Sequence, residues 1–201
     1  MLKLKDSDIR NVLLNELRNQ YKNDEAIVVN EMGVCQGKSR VDIAVVNGII
    51  HGYEIKSESD TLKRLPRQME DYNRVFDRMT IVVASKYLDE VRALIPKWWG
   101  IILVRNQQGE AKLKMVRKGR KNKEVDPISL AQLLWKEEAL EILKEKGLHR
   151  GFLSKPKKEI LRHLSESIEL EELQSRINWI LKNRSEWRDF ELQVPNGDSH
   201  Y

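Results

Sequence analysis

Two strand-like runs, residues 40–46 and 49–56, meet at Asn47-Gly48, and no other feature constrains the fold of this chain as much. Asn-Gly between β-rich runs is the strongest short hairpin signal, and the turn then sets the register of the two strands. Both runs carry charge among apolar neighbours: Asp42 within Val41-Asp42-Ile43, and Glu54 and Lys56 within Tyr53-Glu54-Ile55-Lys56. An isolated ion on a buried strand is costly to desolvate. Alternation puts Glu54 and Lys56 on one face, with Tyr53 and Ile55 on the other. A strict two-residue turn pairs Val46 with Ile49 and so sets Asp42 opposite Tyr53, on the face away from Glu54. One added residue restores the parity, so the sequence predicts a β-bulge near His51-Gly52 or a loop longer than Asn-Gly.

The hairpin sits within a mixed pattern. Asp6-Ser7-Asp8 offers a helix cap, and Ile9, Val12, Leu13 and Leu17 recur at helical spacing over residues 8–20. Residues 26–30 read as a short strand and 33–39 as a loop. Residues 60–77 read as a helix that tolerates Pro66 only in its first turn. Strands are expected at 79–84 and 99–104, a helix at 88–94, and a turn at 106–110 leading into 111–116. After Asp126-Pro127 strand signals vanish, and 128–146, 156–164 and 170–183 carry helical apolar spacing. The expectation is an α/β protein with a central mixed sheet flanked by helices over residues 1–125. A helical C-terminal part over 126–190 and a frayed tail over 191–201 complete it.

A composition of 40% hydrophobic and 33% charged residues reads as globular, and a chain of 201 residues can bury a proper core. Residues 1–10 carry no secretory signal, and no run is long and apolar enough to span a bilayer. The single cysteine, Cys35, forms no internal disulfide and is expected to be a loop thiol; a cytoplasmic location follows. Net charge is +5. Residues 112–123 hold Lys112, Lys114, Arg117, Lys118, Arg120, Lys121 and Lys123 with no acid between them. Such a segment is either a solvated hairpin tip or a phosphate-contacting surface. The C-terminal apolar stripes suit a bundle packed on the core, or a homodimer surface.

Two carboxylates brought together across a hairpin repel each other unless a cation lies between them. Oxygen ligands favour a hard divalent ion, Mg²⁺ or Mn²⁺, and an adjacent lysine can then orient the attacking water or stabilise charge on a phosphate. The alternative is a structural ion pair of Lys56 with a carboxylate, although buried pairs seldom add net stability.

Asp42 followed by Glu54-Ile55-Lys56, with Gln68 and Tyr72 on the next helix, resembles the PD-(D/E)xK nuclease superfamily, specifically its RecB-type Q-x3-Y variant. The run from Glu54 to Leu65 also looks like a little-characterised bacterial and phage group within it. The resemblance covers residues 8–105 and implies a restriction-endonuclease-like αβββαβ core that hydrolyses DNA. It implies Asp42, Glu54 and the Ile55 carbonyl as ligands of Mg²⁺ or Mn²⁺, and Lys56 as the catalytic lysine. Gln68 and Tyr72 would buttress the site or touch the nucleic-acid backbone. A further acid would come from Glu31, ranked first, or from Glu16. Arg64, Lys112, Lys114, Arg117, Lys118 and Arg120 are the corresponding nucleic-acid contacts. The chain departs from the pattern in having Val41, not proline, before Asp42. A catalytically silent protein of the same fold, binding nucleic acid or a protein, is the alternative.

Other conspicuous residues have plainer expectations. Trp98 and Trp99 are expected to pack in or around the core, and His51 to face solvent on the hairpin. Asp60 and Arg64 either pair to cap the following helix or leave Arg64 free for a phosphate.

Overall fold

The computed structural model describes residues 3–184. Helix α1 (Asp6–Gln20) precedes three strands, β1 (Ile27–Val34), β2 (Ser39–Val46) and β3 (Ile50–Lys56). Then come α2 (Leu65–Asn73), β4 (Arg78–Ala84), α3 (Leu88–Leu94), β5 (Gly100–Gln107) and β6 (Glu110–Arg117). Helices α4 (Pro127–Ala131), α5 (Lys136–Glu145), α6 (Lys157–Ser167) and α7 (Leu170–Asn183) follow. The strands lie in sequence order in one six-stranded sheet. The β3–β4 and β4–β5 pairs are parallel and the other pairs antiparallel, so the sheet is mixed, as expected.

Each face of the sheet is covered. On one side α1 packs Ile9, Leu13 and Leu17 against Ile43, Tyr53, Ile55 and Val82. On the other, a larger cluster joins Ala44, Val46, Ile81 and Ile101 to Tyr72 and Phe76 after β3, and to Leu130, Leu143, Leu164 and Ile177 of the C-terminal helices. Covered on both faces, β3 is buried along its whole length. This overturns the solvent-facing reading of His51, which is only 9% exposed. Its Nε2 lies 2.9 Å from the Thr80 hydroxyl and its Nδ1 3.2 Å from the Tyr53 hydroxyl.

Several boundaries moved for local reasons. Helix α2 starts at Leu65, not at residue 60, because Pro66 lacks an N–H and blocks helix on its N-terminal side. Asp60 instead closes a turn, its carboxylate accepting from the backbone N–H (2.7 Å) and hydroxyl (2.6 Å) of Ser57. The single helix expected over 128–146 is two, because Trp135 takes an extended conformation and its N–H donates to Glu138 at 2.6 Å, capping a new start. The apolar stripe runs through both pieces, so spacing alone could not locate the break. Trp99 is fully buried, with its indole N–H on Asn73 Oδ1 at 2.8 Å, and Trp98 half-buried beside it, in agreement with packing roles. Cys35 is a free thiol in the β1–β2 connection, as expected, but it is buried, and burial pushes it up to about 11. The tail over 191–201 lies outside the described residues. Among those described, no helix is long and apolar enough to cross a membrane.

Candidate active site

The β2–β3 loop settles the parity question. Val46 pairs with Ile50, not Ile49, leaving Asn47, Gly48 and Ile49 in a three-residue loop. The Asn47 N–H donates to the Ile49 carbonyl at 3.0 Å, and Gly48 takes a φ of +72°, which costs glycine nothing. The longer loop is thus the remedy used, and Gly52 is no bulge: it stands in register opposite Ala44. Its lack of a side chain has another cause, since a Cβ there would lie 2.4 Å from Met79 Sδ.

Beyond the Ile43–Tyr53 pair the β2–β3 ladder stops, and Asp42 stands at the fork. Strict alternation also fails there. Val41 and Ala44 share one core cluster while Ile43 belongs to the other, and on β1 Val29 and Met32 share a cluster across Glu31, whose φ is +56°. The slip turns the Asp42 side chain along the sheet toward β3. Its Oδ2 accepts the Ile55 N–H at 2.6 Å, standing in for a strand partner. A strand residue presents its N–H and C=O to the same neighbour, so the Ile55 carbonyl also faces the fork.

Glu54 is 2% exposed, on the α2 side of β3. Its Oε1 accepts from Lys56 Nζ at 2.5 Å and Gln68 Nε2 at 2.7 Å, and its Oε2 accepts from the Tyr72 hydroxyl at 2.8 Å. Lys56 Nζ also donates to Gln68 Oε1 at 3.1 Å. Gln68 and Tyr72, one turn apart on α2, therefore reach one carboxylate together. Tyr72 hydroxyl lies 2.6 Å from the Arg40 carbonyl as well, tying α2 to β2 beside Asp42. Burial first, and the Asp42 charge second, push Glu54 up to about 7, against the pull of Lys56 and Tyr72. Asp42 is also raised, by burial, with the Ile55 N–H and Arg10 pulling the other way.

Arg10 is the member that local sequence reading missed. From α1 its guanidinium donates to Asp42 Oδ1 at 2.7 Å and to the Asp42 carbonyl at 2.9 Å. It also lies 3.1 Å from Asp6 and 3.3 Å from Glu31. No motif announces a partner 32 residues away; the only hint is an arginine on the helix that crosses this face.

The expected set is only partly brought together. Glu54, Lys56, Gln68 and Tyr72 converge, and Asp42 is close enough for its charge to raise Glu54, with its own oxygens on Arg10 and the Ile55 N–H. Glu31, half-exposed, lies beside Asp42 across Arg10, whose Nη2 stands 3.3 Å from Glu31 and 2.7 Å from Asp42, and it also pairs with Arg40. Glu16 is exposed and lies more than a turn beyond Arg10 on a different face of α1, so it does not join the site. Arg64 is exposed and forms no ion pair with Asp60. In the basic segment, Arg117 and Arg120 serve the fold, donating to the carbonyls of Pro96 and Trp99, and of Lys97. Lys112 pairs with Glu110, whereas Lys114 and Lys118 are exposed.

The donor chemistry suits a hard divalent ion: two carboxylates that disfavour each other's charge, and a main-chain carbonyl. Glu54 Oε2 keeps an acceptor site after Tyr72. Among the described residues, no group of three or more His, Cys, Asp or Glu side chains is placed to hold a metal, so the carbonyl would be a needed third ligand.

No solved structure matches the chain. A curated relative, Protein cII of Enterobacteria phage P4, is 26% identical over 181 residues, covering 90% of this chain and 68% of that protein. The family model described as Bacteriophage P4 protein cII matches residues 2–193. With nearly its whole length matched, the chain belongs to the bacteriophage P4 protein cII family.

Proposed function

We propose that the protein is a divalent-metal-dependent deoxyribonuclease with a restriction-endonuclease-like core of the PD-(D/E)xK type. The observation that carries this reading is the buried Glu54–Lys56 pair, held by Gln68 and Tyr72 near a second, partly buried carboxylate, Asp42. A stabilising role explains it poorly, because well-packed apolar residues generally do as well as a buried ion pair. Mg²⁺ or Mn²⁺, held by Asp42, Glu54 and the Ile55 carbonyl, would supply Lewis acidity and a water of lowered pKa. Lys56 places an ammonium where charge grows on the phosphate as water adds and the leaving oxygen departs. Gln68 and Tyr72 fix the Glu54 carboxylate, and exposed Arg64, just before α2, meets a flanking phosphate.

Purified protein incubated with linear DNA and Mn²⁺ should cleave it, and Asp42→Asn should reduce the rate at least about a hundredfold while leaving the melting temperature of the metal-free protein within a few degrees. Equal cleavage by both proteins ends the assignment.

Arg10 favours a second reading, a silent protein of the same fold, because it already neutralises Asp42 from within. The two readings separate on Mn²⁺ affinity, measured from the free-ion resonance signal. If the site takes metal, the ion competes with Arg10 for the Asp42 carboxylate, and Arg10→Met should bind Mn²⁺ roughly tenfold more tightly, since a charge-assisted hydrogen bond no longer competes. If neither protein binds Mn²⁺, the silent reading stands.

A further inference from the structure

A cavity at the end of the sheet away from Lys56 has no part in the chemistry above. It holds about 510 Å³, in the range of small-molecule sites. Gly48 and Ile49 of the β2–β3 loop, Asp77, Lys121 and one side of α7 line it. Ile50 and Lys56 stand six residue steps apart along β3, which separates the cavity from the Lys56 end of the candidate active site by roughly 20 Å.

The α7 wall is a stripe. Glu171, Gln174, Ser175, Asn178, Trp179 and Lys182 recur at three- and four-residue steps, while Leu173, Ile177 and Leu181 face the core. In this polar stripe Trp179 is 67% exposed, the most exposed large apolar side chain among the described residues. The core does not use it. Asn178 beside it is only 5% exposed, yet among the described residues its Oδ1 has no hydrogen-bond partner, a deficit that a ligand N–H would relieve. Asp77 is bound into the wall, accepting from the Ile50 N–H at 2.7 Å and from Gln174 Nε2 at 2.6 Å. Lys121 is exposed, and among the described residues the partner of Lys182 is the 95%-exposed carboxylate of Glu25, 3.5 Å away. Such an exposed pair holds a lysine weakly.

We infer that this cavity binds a nucleotide unit, with the base stacked on Trp179, a base N–H turned to Asn178 and one phosphate between Lys121 and Lys182. A flat π-face on tryptophan and a phosphate on lysine are the two recurrent elements of single-strand recognition. A neutral sugar also stacks on tryptophan but leaves both lysines unused. Two ammonium groups facing Asp77 and Glu171 match a ligand with a single phosphate better than a triphosphate. The inference does not depend on the nuclease reading.

The same chemistry is offered by a free mononucleotide and by one residue of a strand. Calorimetric titrations of the full chain in EDTA with AMP, adenosine and a short oligodeoxyadenylate separate these sources. AMP is expected to bind at least about fivefold more tightly than adenosine, as a charge-assisted contact requires. Trp179→Ala, on an exposed side chain, and Lys121→Glu should each weaken binding about fivefold or more. Oligonucleotide binding that is tighter than AMP binding and lost with Trp179 assigns the pocket to a strand; equal affinities assign it to the free nucleotide. If neither ligand binds, or if Trp179→Ala and Lys121→Glu bind both as tightly as wild type, the inference is overturned. An unaffected pocket in a protein that fails to cleave DNA would leave it intact while removing the nuclease reading.

Discussion

The Lys56→Met protein should cleave DNA at least about a hundredfold more slowly than wild type, with loss of up to about ten-thousandfold in reach if the lysine also handles a proton. Lys56 is 4% exposed and its ammonium stands 2.5 Å from Glu54 Oε1, so substitution affects stability as well as chemistry. Breaking a buried ion pair typically costs about 3–5 kcal/mol because the remaining charge is stranded. Glu54 has a way out: with its carboxyl already near 7, it can take up a proton once Lys56 is gone. Adding Glu54→Gln removes the stranded charge altogether. The double variant should therefore regain much of the lost thermal stability and none of the cleavage. Calorimetric melting and a gel assay with Mn²⁺ read the two quantities separately. Were cleavage retained in Lys56→Met, the pair would be structural and the proposed mechanism wrong.

Stability of the metal-free protein should carry two buried titrations of opposite sign. Glu54 is raised from 4.5 to about 7, so the folded state holds this proton more tightly than the unfolded one. Its contribution is present below the unfolded value and is lost as pH rises through 7. Asp42 and Asp77, both raised by burial, act in the same sense. His51 is lowered from 6.5 to about 3, by burial and then by Arg78, because its neutral ring is sealed between Thr80 and Tyr53. The unfolded chain protonates that histidine first, so its contribution is complete above 6.5 and lost as pH falls toward 3. Between 4.5 and 6.5 the two slopes oppose each other, each about 1.4 kcal/mol per pH unit.

Wild type should accordingly change little across that window. Glu54→Gln exposes the His51 slope, losing about 3 kcal/mol from top to bottom of the window, or roughly 6–12 °C in melting temperature. His51→Gln should show the reverse, gaining stability as pH falls. Parallel melting curves for wild type and Glu54→Gln in EDTA would show that Glu54 is not the raised carboxyl. Magnesium should stabilise wild type most at the alkaline end, where Glu54 is ionised and a cation has the most to offset.

Much of this site could be read locally. The Asn-Gly loop marked the hairpin, alternation put Glu54 and Lys56 on one face, and the one-turn spacing of Gln68 and Tyr72 put both on one side of α2. The parity conflict at Asp42 was visible too, although a three-residue loop and a slip at Glu31 resolve it where a bulge at Gly52 had been an option. Gly52 shows why such choices are hard to make from sequence. Its missing side chain answers to Met79 and Phe76, packed above it from elsewhere in the chain, and not to its own backbone. His51 was misplaced for a related reason: on a strand covered on both sides, a polar residue is buried by neighbours that its own flanking sequence does not name.

The order of residues alone determined the periodicities, the turn chemistry and the placing of two acids and a lysine on consecutive strands, because these depend on bond geometry within a few residues. Tertiary structure decided that Arg10 would bridge Asp42 and Glu31, that Arg117 and Arg120 would serve the fold, and that Trp179 would stand over an open cavity. Electrostatic and packing energies fall off over a few ångströms in space, not along the chain, so they become defined only when the helices have settled on the sheet.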